Sequence, residues 1–448
     1  MKINKKDIVC YILMVLYIVI YNTVIKYNGA LILDFLWQYE HSLSITKGEL
    51  VYKDINIITT PLYYFILAIA LKINASVECK IVLDALIALL HNITAYKIWN
   101  KQEHSYIKSA IYTLIYLIFS VSGYAYNQLT VIISLIIILL LRRKSSDLAI
   151  YIGIMAMLCA LCKQTTGVFV AVYSLVAVGI QSNKSNRLKD IMSWIFGFCA
   201  VGIIFLTYLI LTNTLNSFFD YCLFGLVDFK GSYFIENKFT FGLIVYFLLL
   251  GIYKSIKEKD INIINITVIS ILQLTLMINI RDNIHMDMVL STAILIYYTL
   301  NIKLEIKDLI ILTAILISSL NVMHMKLENS EVSNICINSG IYDKENEEIE
   351  EKEKELGMPI LKVCVDTCIN DYLSGRNSGI FEMFLDGNLG GISKFKLIDN
   401  AIKDHVVCVS SRSGWQWDSD QIFEYMDNNY KQVYISDDTG LIYYTEDR

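Results

Sequence analysis

The chain has 448 residues, 55% of them hydrophobic, with only two prolines and a formal charge of −5. A water-soluble globule of that size has too little interior for so much apolar surface, which excludes an ordinary soluble enzyme. Lysine and arginine fall in short clusters between apolar stretches and form no basic stripe, which excludes nucleic acid as a partner.

Residues 1–27 open with Met-Lys-Ile-Asn-Lys-Lys-Asp and continue as an apolar run without a small-residue cleavage site, so the reading is an uncleaved first span. The lysines before it predict a cytoplasmic amino terminus. A bilayer-crossing helix needs about 20 apolar residues. Runs of that order lie near 8–27, 60–74, 80–98, 106–122, 124–141, 148–162, 164–181, 190–211, 239–256, 261–279, 285–300 and 307–324.

From the middle of the chain onward, basic clusters at Arg142-Arg143-Lys144, Lys184/Arg187/Lys189, Lys254/Lys257/Lys259 and Lys303/Lys307 fall on every second connection, which makes those connections cytoplasmic. The Lys163 turn, the segment 212–238, the Arg281 turn and everything after 324 are then outside. Twelve complete crossings would return the tail to the cytoplasm, so the expectation is an odd number, eleven or thirteen.

The external segment 28–59 mixes aromatic, apolar and acidic residues at a helical period, which predicts helices lying along the membrane interface. Past residue 325 the pattern changes. Residues 326–358 read as a charged linker, and their stretch 343–355, mostly acid and base, reads as a solvated helix or linker with no functional site. Residues 359–448 read as a small extracytoplasmic α/β domain, with short buried strands at Pro359–Asp366, Val406–Ser411, Lys431–Asp437 and Gly440–Thr445 and a helix over Gln421–Asn428. The predicted fold class is therefore mainly α, a polytopic transmembrane helical bundle carrying a small C-terminal α/β domain. Of ten scattered cysteines, Cys10, Cys159, Cys162 and Cys199 lie inside apolar runs as small hydrophobes, and Cys364 and Cys368, with no second pair or histidines nearby, predict no metal site.

Asp34 is the first candidate for chemistry. It follows the first span among apolar and aromatic neighbours, where desolvating a carboxylate is costly. Glu40, His41 and Asp54 are nearby polar alternatives. Within the bundle, Asp84 and His91 lie seven apart on one helical face with Asn92 beside them, a spacing that suits helix-to-helix hydrogen bonding better than a transporter's proton relay.

Asp34, then Gly48 with Val51-Tyr52-Lys53-Asp54, then Thr59-Thr60-Pro61-Leu62-Tyr63-Tyr64 resembles the first external loop and second span of the C-type, polyprenyl-phosphate-sugar-dependent glycosyltransferases. The nearest kin are bacterial relatives of protein O-mannosyltransferases and lipid A aminoarabinose transferases. Leu161-Cys-Lys-Gln-Thr-Thr-Gly167 is similar to the lysine turn of those enzymes. The turn Asn279-Ile-Arg-Asp-Asn-Ile-His285 and the tail motif Phe381-Glu-Met-Phe-Leu-Asp-Gly-Asn-Leu-Gly-Gly391 add to the likeness.

The resemblance implies an enzyme that moves a sugar, with inversion, from a polyprenyl-phosphate donor to a glycan, lipid or protein acceptor at the outer face of the cell membrane. Asp34 would be the catalytic base, and Lys163 and Arg281 would hold the donor phosphate. Gln164 and His285 are further candidates on those turns. Two departures stand out. Thr59 and Thr60 replace the lysine that relatives often carry before the proline, and Asn127-Gln128 stand where many have a second carboxylate. Without that carboxylate a bound divalent cation loses its support, and no cofactor is expected. The rival reading, a transporter or flippase of lipid-linked sugars, predicts paired hydropathy halves that the sequence does not show. A scaffold would have no need of Asp34.

Overall fold

The computed structural model describes residues 4–26, 33–100, 104–120, 125–143, 145–228, 235, 237–278, 280–300, 313, 317, 340–364, 367–381, 394–410 and 419–446. The expected last span at 307–324, the Lys303/Lys307 cluster, most of the Phe381–Gly391 motif and most of 326–340 lie outside the described residues. The chain forms two compact units, residues 1–27, 80–208 and 231–328 in one, and residues 28–79, 209–230 and 329–448 in the other.

Six helices among the described residues are long and apolar enough to cross a membrane: Lys5–Thr23, Val77–Trp99, Ala125–Arg142, Gln164–Gln181, Arg187–Leu211 and Lys238–Glu258. Shorter apolar helices stand at Leu62–Ile73, Tyr106–Ser120, Ser146–Cys162 and Ile261–Met277. This is a membrane protein, a helical bundle with a small α/β region. Burial sorts the helices: the apolar window of Ala125–Arg142 is 78% buried and central, whereas that of Arg187–Leu211 is 17% buried and faces outward.

Glycines set the closest approaches in the first unit. A Cβ on Gly153 would collide with the Trp194 carbonyl, and one on Gly197 with that of Ile150, so these two helices cross backbone to backbone. A Cβ on Gly167 would collide with Ala160, which lets the helices on either side of Lys163 pack as a tight hairpin. Asp84 pairs with Lys80 on its own helix at 2.9 Å. His91 Nε2 lies 2.9 Å from the Tyr116 hydroxyl, and Asn92 Oδ1 accepts from Ser120 at 2.9 Å, which are helix-to-helix bonds as the sequence spacing suggests.

In the second unit, the helix Leu33–Lys47 departs from the expectation of an interfacial helix. Residues 35–42 are all buried, because the helix packs against both Leu62–Ile73 and Thr367–Ser374, with Tyr39 edge-on to Tyr372 at 5.9 Å. Aromatic content at a helical period does not distinguish lipid contact from protein contact. After it the chain turns through Leu50–Ile55, where Tyr52 holds a left-handed φ of 68°, rare for so bulky a side chain. The Tyr52 ring is buried and its hydroxyl donates to the Thr59 carbonyl at 3.1 Å.

The sheet has the order β1-β2-β4-β3, with β1 Ile360–Lys362, β2 Val406–Ser410, β3 Lys431–Ile435 and β4 Leu441–Thr445. β1 runs parallel to β2, Ile360 opposite Val406, and β4 is antiparallel to both its neighbours. Helix Ser419–Asn429 links β2 to β3. Val407, Val409, Ile398, Ile402, Met426 and Tyr444 make the core on one face. β3 was expected to be buried. It is an exposed edge along its whole length.

The stretch 343–355, expected as a solvated helix or linker, is part of a helix, Ile341–Leu356, bounded by left-handed glycines Gly340 and Gly357, and one face of it is buried. Glu345 is buried and bridges Lys362 at 2.8 Å. Glu348 accepts from the hydroxyls of Ser436, Thr439 and Tyr443 at 2.6, 2.8 and 2.9 Å, and Ile349 joins the second core cluster with Cys408 and Tyr443. Positions three and four apart turn one face of this acidic helix onto the sheet.

Candidate functional site

Two polar regions carry the candidate residues, one in each unit. In the first unit the key element is the turn at Lys163, which lies between the helices Ala149–Cys162 and Gln164–Gln181 and outside both. Lys163 is extended (φ −153°), and the Gly167 hairpin brings it toward the start of helix Ala125–Arg142. Its Nζ donates to Asn127 Oδ1 at 2.9 Å and sits 5.5 Å from the centre of the Tyr126 ring.

From there a continuous chain runs on. Asn127 Nδ2 lies 3.3 Å from His285 Nε2, and His285 Nδ1 lies 2.8 Å from Asp282 Oδ1. An ammonium can only donate, so Asn127 must turn its oxygen to Lys163 and its amide N–H to His285. His285 Nε2 is then the acceptor, and Nδ1 carries the proton given to Asp282. The same Asp282 oxygen accepts the His285 backbone N–H at 2.8 Å, capping the helix Asn283–Leu300.

Burial pushes the Lys163 ammonium down to about 8, with the Asp282 carboxylate pulling the other way. Burial on its own would raise the Asp282 carboxyl, but His285 and the backbone N–H groups outweigh it and hold the group below its usual range. The arrangement is therefore a cation held at about 8, tied through the Asn127 and His285 side chains to a carboxylate that stays ionised. Gln164 follows Lys163 at the first position of its helix, and Arg281, half-buried, directly precedes Asp282.

In the second unit Asp34 lies in the first turn of Leu33–Lys47, where a helix amino terminus favours negative charge. It is half-buried, and its charge acts on the buried Tyr64 phenol. Glu40 is buried further along the same helix. Asp54 is engaged in its own turn: Oδ2 accepts the Leu50 N–H at 2.9 Å while its N–H returns to the Leu50 carbonyl at 2.9 Å. His41 is fully buried, with Nε2 2.5 Å from the Trp37 indole nitrogen and 2.8 Å from the Asn56 carbonyl. Burial drives its imidazole down to about 3, so it is a neutral packing residue at physiological pH.

The structure thus brings Lys163, Asn127 and His285 into one network and leaves Asp34, Glu40 and Asp54 in the other unit. Sequence reading noted Asp282 only as a polar neighbour of Arg281 and gave it no role. Its signal is the Asp-x-x-His spacing at a helix start, which lets one carboxylate meet both the backbone and the ring of His285.

No protein-family model matches the chain, and no curated protein does. Among solved structures it is similar to the oligosaccharyltransferase of Archaeoglobus fulgidus in complex with zinc and sulfate. The identity is 10% and the TM-score 0.48, with 98% of this chain and 73% of that chain covered.

Proposed function

We propose that the chain is an integral-membrane glycosyltransferase that takes a sugar from a polyprenyl-phosphate donor and passes it, with inversion, to a glycan, lipid or protein acceptor at the outer face of the cell membrane. The observation that supports this reading is the Lys163–Asn127–His285–Asp282 chain, a hydrogen-bonded network ending in a cation at a helix-to-helix turn. In this reading the amino terminus is cytoplasmic and the sheet-bearing tail is outside.

The reaction needs charge at two places. The acceptor hydroxyl gives its proton to Asp34, its oxygen attacks the anomeric carbon, and the bond from that carbon to the phosphate oxygen breaks with its electron pair leaving on the lipid phosphate. A phosphodiester with one negative charge becomes a phosphomonoester approaching two. Cations beside it are worth more in the transition state than in the bound donor. Lys163 supplies one such cation and Arg281 a second, whose planar fork suits a phosphate bidentately. Asn127 acts by positioning Lys163, and Asp282 by fixing the proton of His285.

The test is sugar transfer in membranes supplied with polyprenyl-phosphate sugars. Asp34→Asn keeps the shape and removes the basicity, and loss of a general base costs about 10²–10⁴-fold in rate. Donor binding should survive. Transfer by Asp34→Asn at near the parental rate would move the base to Glu40 or Asp54. Movement of lipid-linked sugar across the bilayer with no transfer would make the chain a transporter.

A further inference from the structure

The chain leaves the helix Arg187–Leu211 with its last residues, Ile210 and Leu211, 59% and 81% exposed. Asn213 then takes a left-handed φ of 55°, and the Thr214 N–H returns to the Leu209 carbonyl at 2.9 Å, which stops the helix and turns the chain. A second apolar helical run starts at once: Leu215–Phe219, a π-turn over Asp220–Phe224, and Gly225–Asp228. At about 13 residues it is too short to span a bilayer.

Its two faces differ. Phe219, Leu223, Phe224 and Val227 are exposed, Val227 by 82%, and they recur at the spacing of one helical stripe. The opposite face holds Tyr221 and Cys222, both buried. Tyr221 stacks on Tyr52 with ring centres 6.3 Å apart, and Phe218 meets the same ring edge-on at 5.4 Å. The Cys222 thiol donates toward the Tyr52 hydroxyl at 3.4 Å and lies 3.6 Å from the Thr59 carbonyl. The buried face therefore grips the turn of the first external loop at its strained residue, while the apolar face is open.

We infer that the run Leu215–Val227 lies in the plane of the membrane interface, with Phe219, Leu223, Phe224 and Val227 in phospholipid, and straps the Tyr52 turn to the bilayer surface. The occupant follows from continuity. The run begins four residues after the most outward-facing of the six long helices ends, so chain continuity keeps its start within a few residues of the end of an apolar, membrane-length helix. Its composition defines the kind of contact. Leu215–Val227 contains no lysine or arginine and one acid, Asp220, so attachment comes from apolar burial and owes nothing to anionic headgroups. This inference concerns lipid contact and stands apart from the reaction proposed above.

The test places the photo-crosslinking residue p-benzoyl-phenylalanine at position 219 or 224, a near-isosteric change for an exposed phenylalanine, in the full-length protein reconstituted in vesicles. One set of vesicles is phosphatidylcholine alone, and a second contains phosphatidylglycerol. The control position is Tyr434 on the β3 edge, exposed and aromatic. Phospholipid adducts at 219 and 224, several-fold above those at 434 and equal in the two lipid mixtures, are the expected result. Adducts only to protein would overturn the inference in favour of a second copy or another polypeptide. A yield that rises several-fold with phosphatidylglycerol would overturn its apolar basis. A second reading uses Phe219→Trp and Phe224→Trp with brominated lipids, where quenching should be strongest for bromines near the headgroup and weak for those at the chain ends.

Discussion

In the proposed donor site, the titration of Lys163 makes phosphate binding pH-dependent. The ammonium lies at about 8, below its ordinary range, because burial disfavours the charge. The sign follows directly. A depressed cation loses its charge as pH rises through the folded value, so phosphate binding, which needs the charge, weakens on the alkaline side and is complete on the acid side. With the group at about 8, roughly nine-tenths of the protein carries the ammonium at pH 7 and about one-tenth at pH 9. Donor affinity should therefore fall by about an order of magnitude between those limits, with proton uptake on binding in the alkaline range. The assay is donor binding in nanodiscs from pH 7 to 9.5, at fixed ionic strength, for the parent and for Lys163→Arg. The guanidinium remains charged throughout, so the variant's curve should be flat. Asn127→Leu, which removes the acceptor of the Lys163 bond at 2.9 Å, should weaken binding at every pH. An alkaline fall that persists unchanged in Lys163→Arg would refute the assignment, as would a flat parental curve.

Arg281→Ala should weaken donor binding and turnover together, by about 10-fold or more for a lost charge-assisted contact, read from KM and kcat on the same preparation. In the tail, Glu345→Ala leaves Lys362 buried without its carboxylate, a change that costs about 3–5 kcal/mol and should lower the unfolding midpoint of the sheet region. Unaltered protease resistance of the tail in Glu345→Ala would count against the buried pair. The proposed external placement of the tail is checked at Lys403→Cys, an exposed site, since the described tail cysteines Cys364, Cys368 and Cys408 are all buried. A membrane-impermeant maleimide should label that position in intact cells, and labelling only after lysis would reverse the topology.

Much of the architecture can be read in the sequence, because length and apolarity suffice for a membrane helix and period two suffices for a strand. The four strands and the helix Ser419–Asn429 fall where turns and alternation put them. Lys163, Asn127 and His285 could each be singled out by type and position. Their union could not, since the contacts span 36 and 158 residues of chain and depend on which helices pack together. For the acidic stretch a solvated helix or linker was legible, but its buried face was not, because composition averages over faces. Seven of its surface residues are hydrated carboxylates or lysines, but Glu345, Glu348 and Ile349 share the side that meets the sheet. The helix Leu33–Lys47 misled for the reverse reason, being apolar enough for lipid yet covered on two sides by protein.

The sheet order has a consequence for how the tail is made. β4, the last of the four strands to leave the ribosome, is the partner that both β2 and β3 require. Until residue 445 has emerged, β1 and β2 can pair, but one side of β2 and all of β3 stay open, with Val433 and Ile435 already exposed in the finished domain. Released chains truncated between 436 and 441 would present two adhesive strand edges at once. The sheet is therefore completed only when β4 is available to pair, and a chain lacking β4 should aggregate through its open strand edges before it loses membrane insertion.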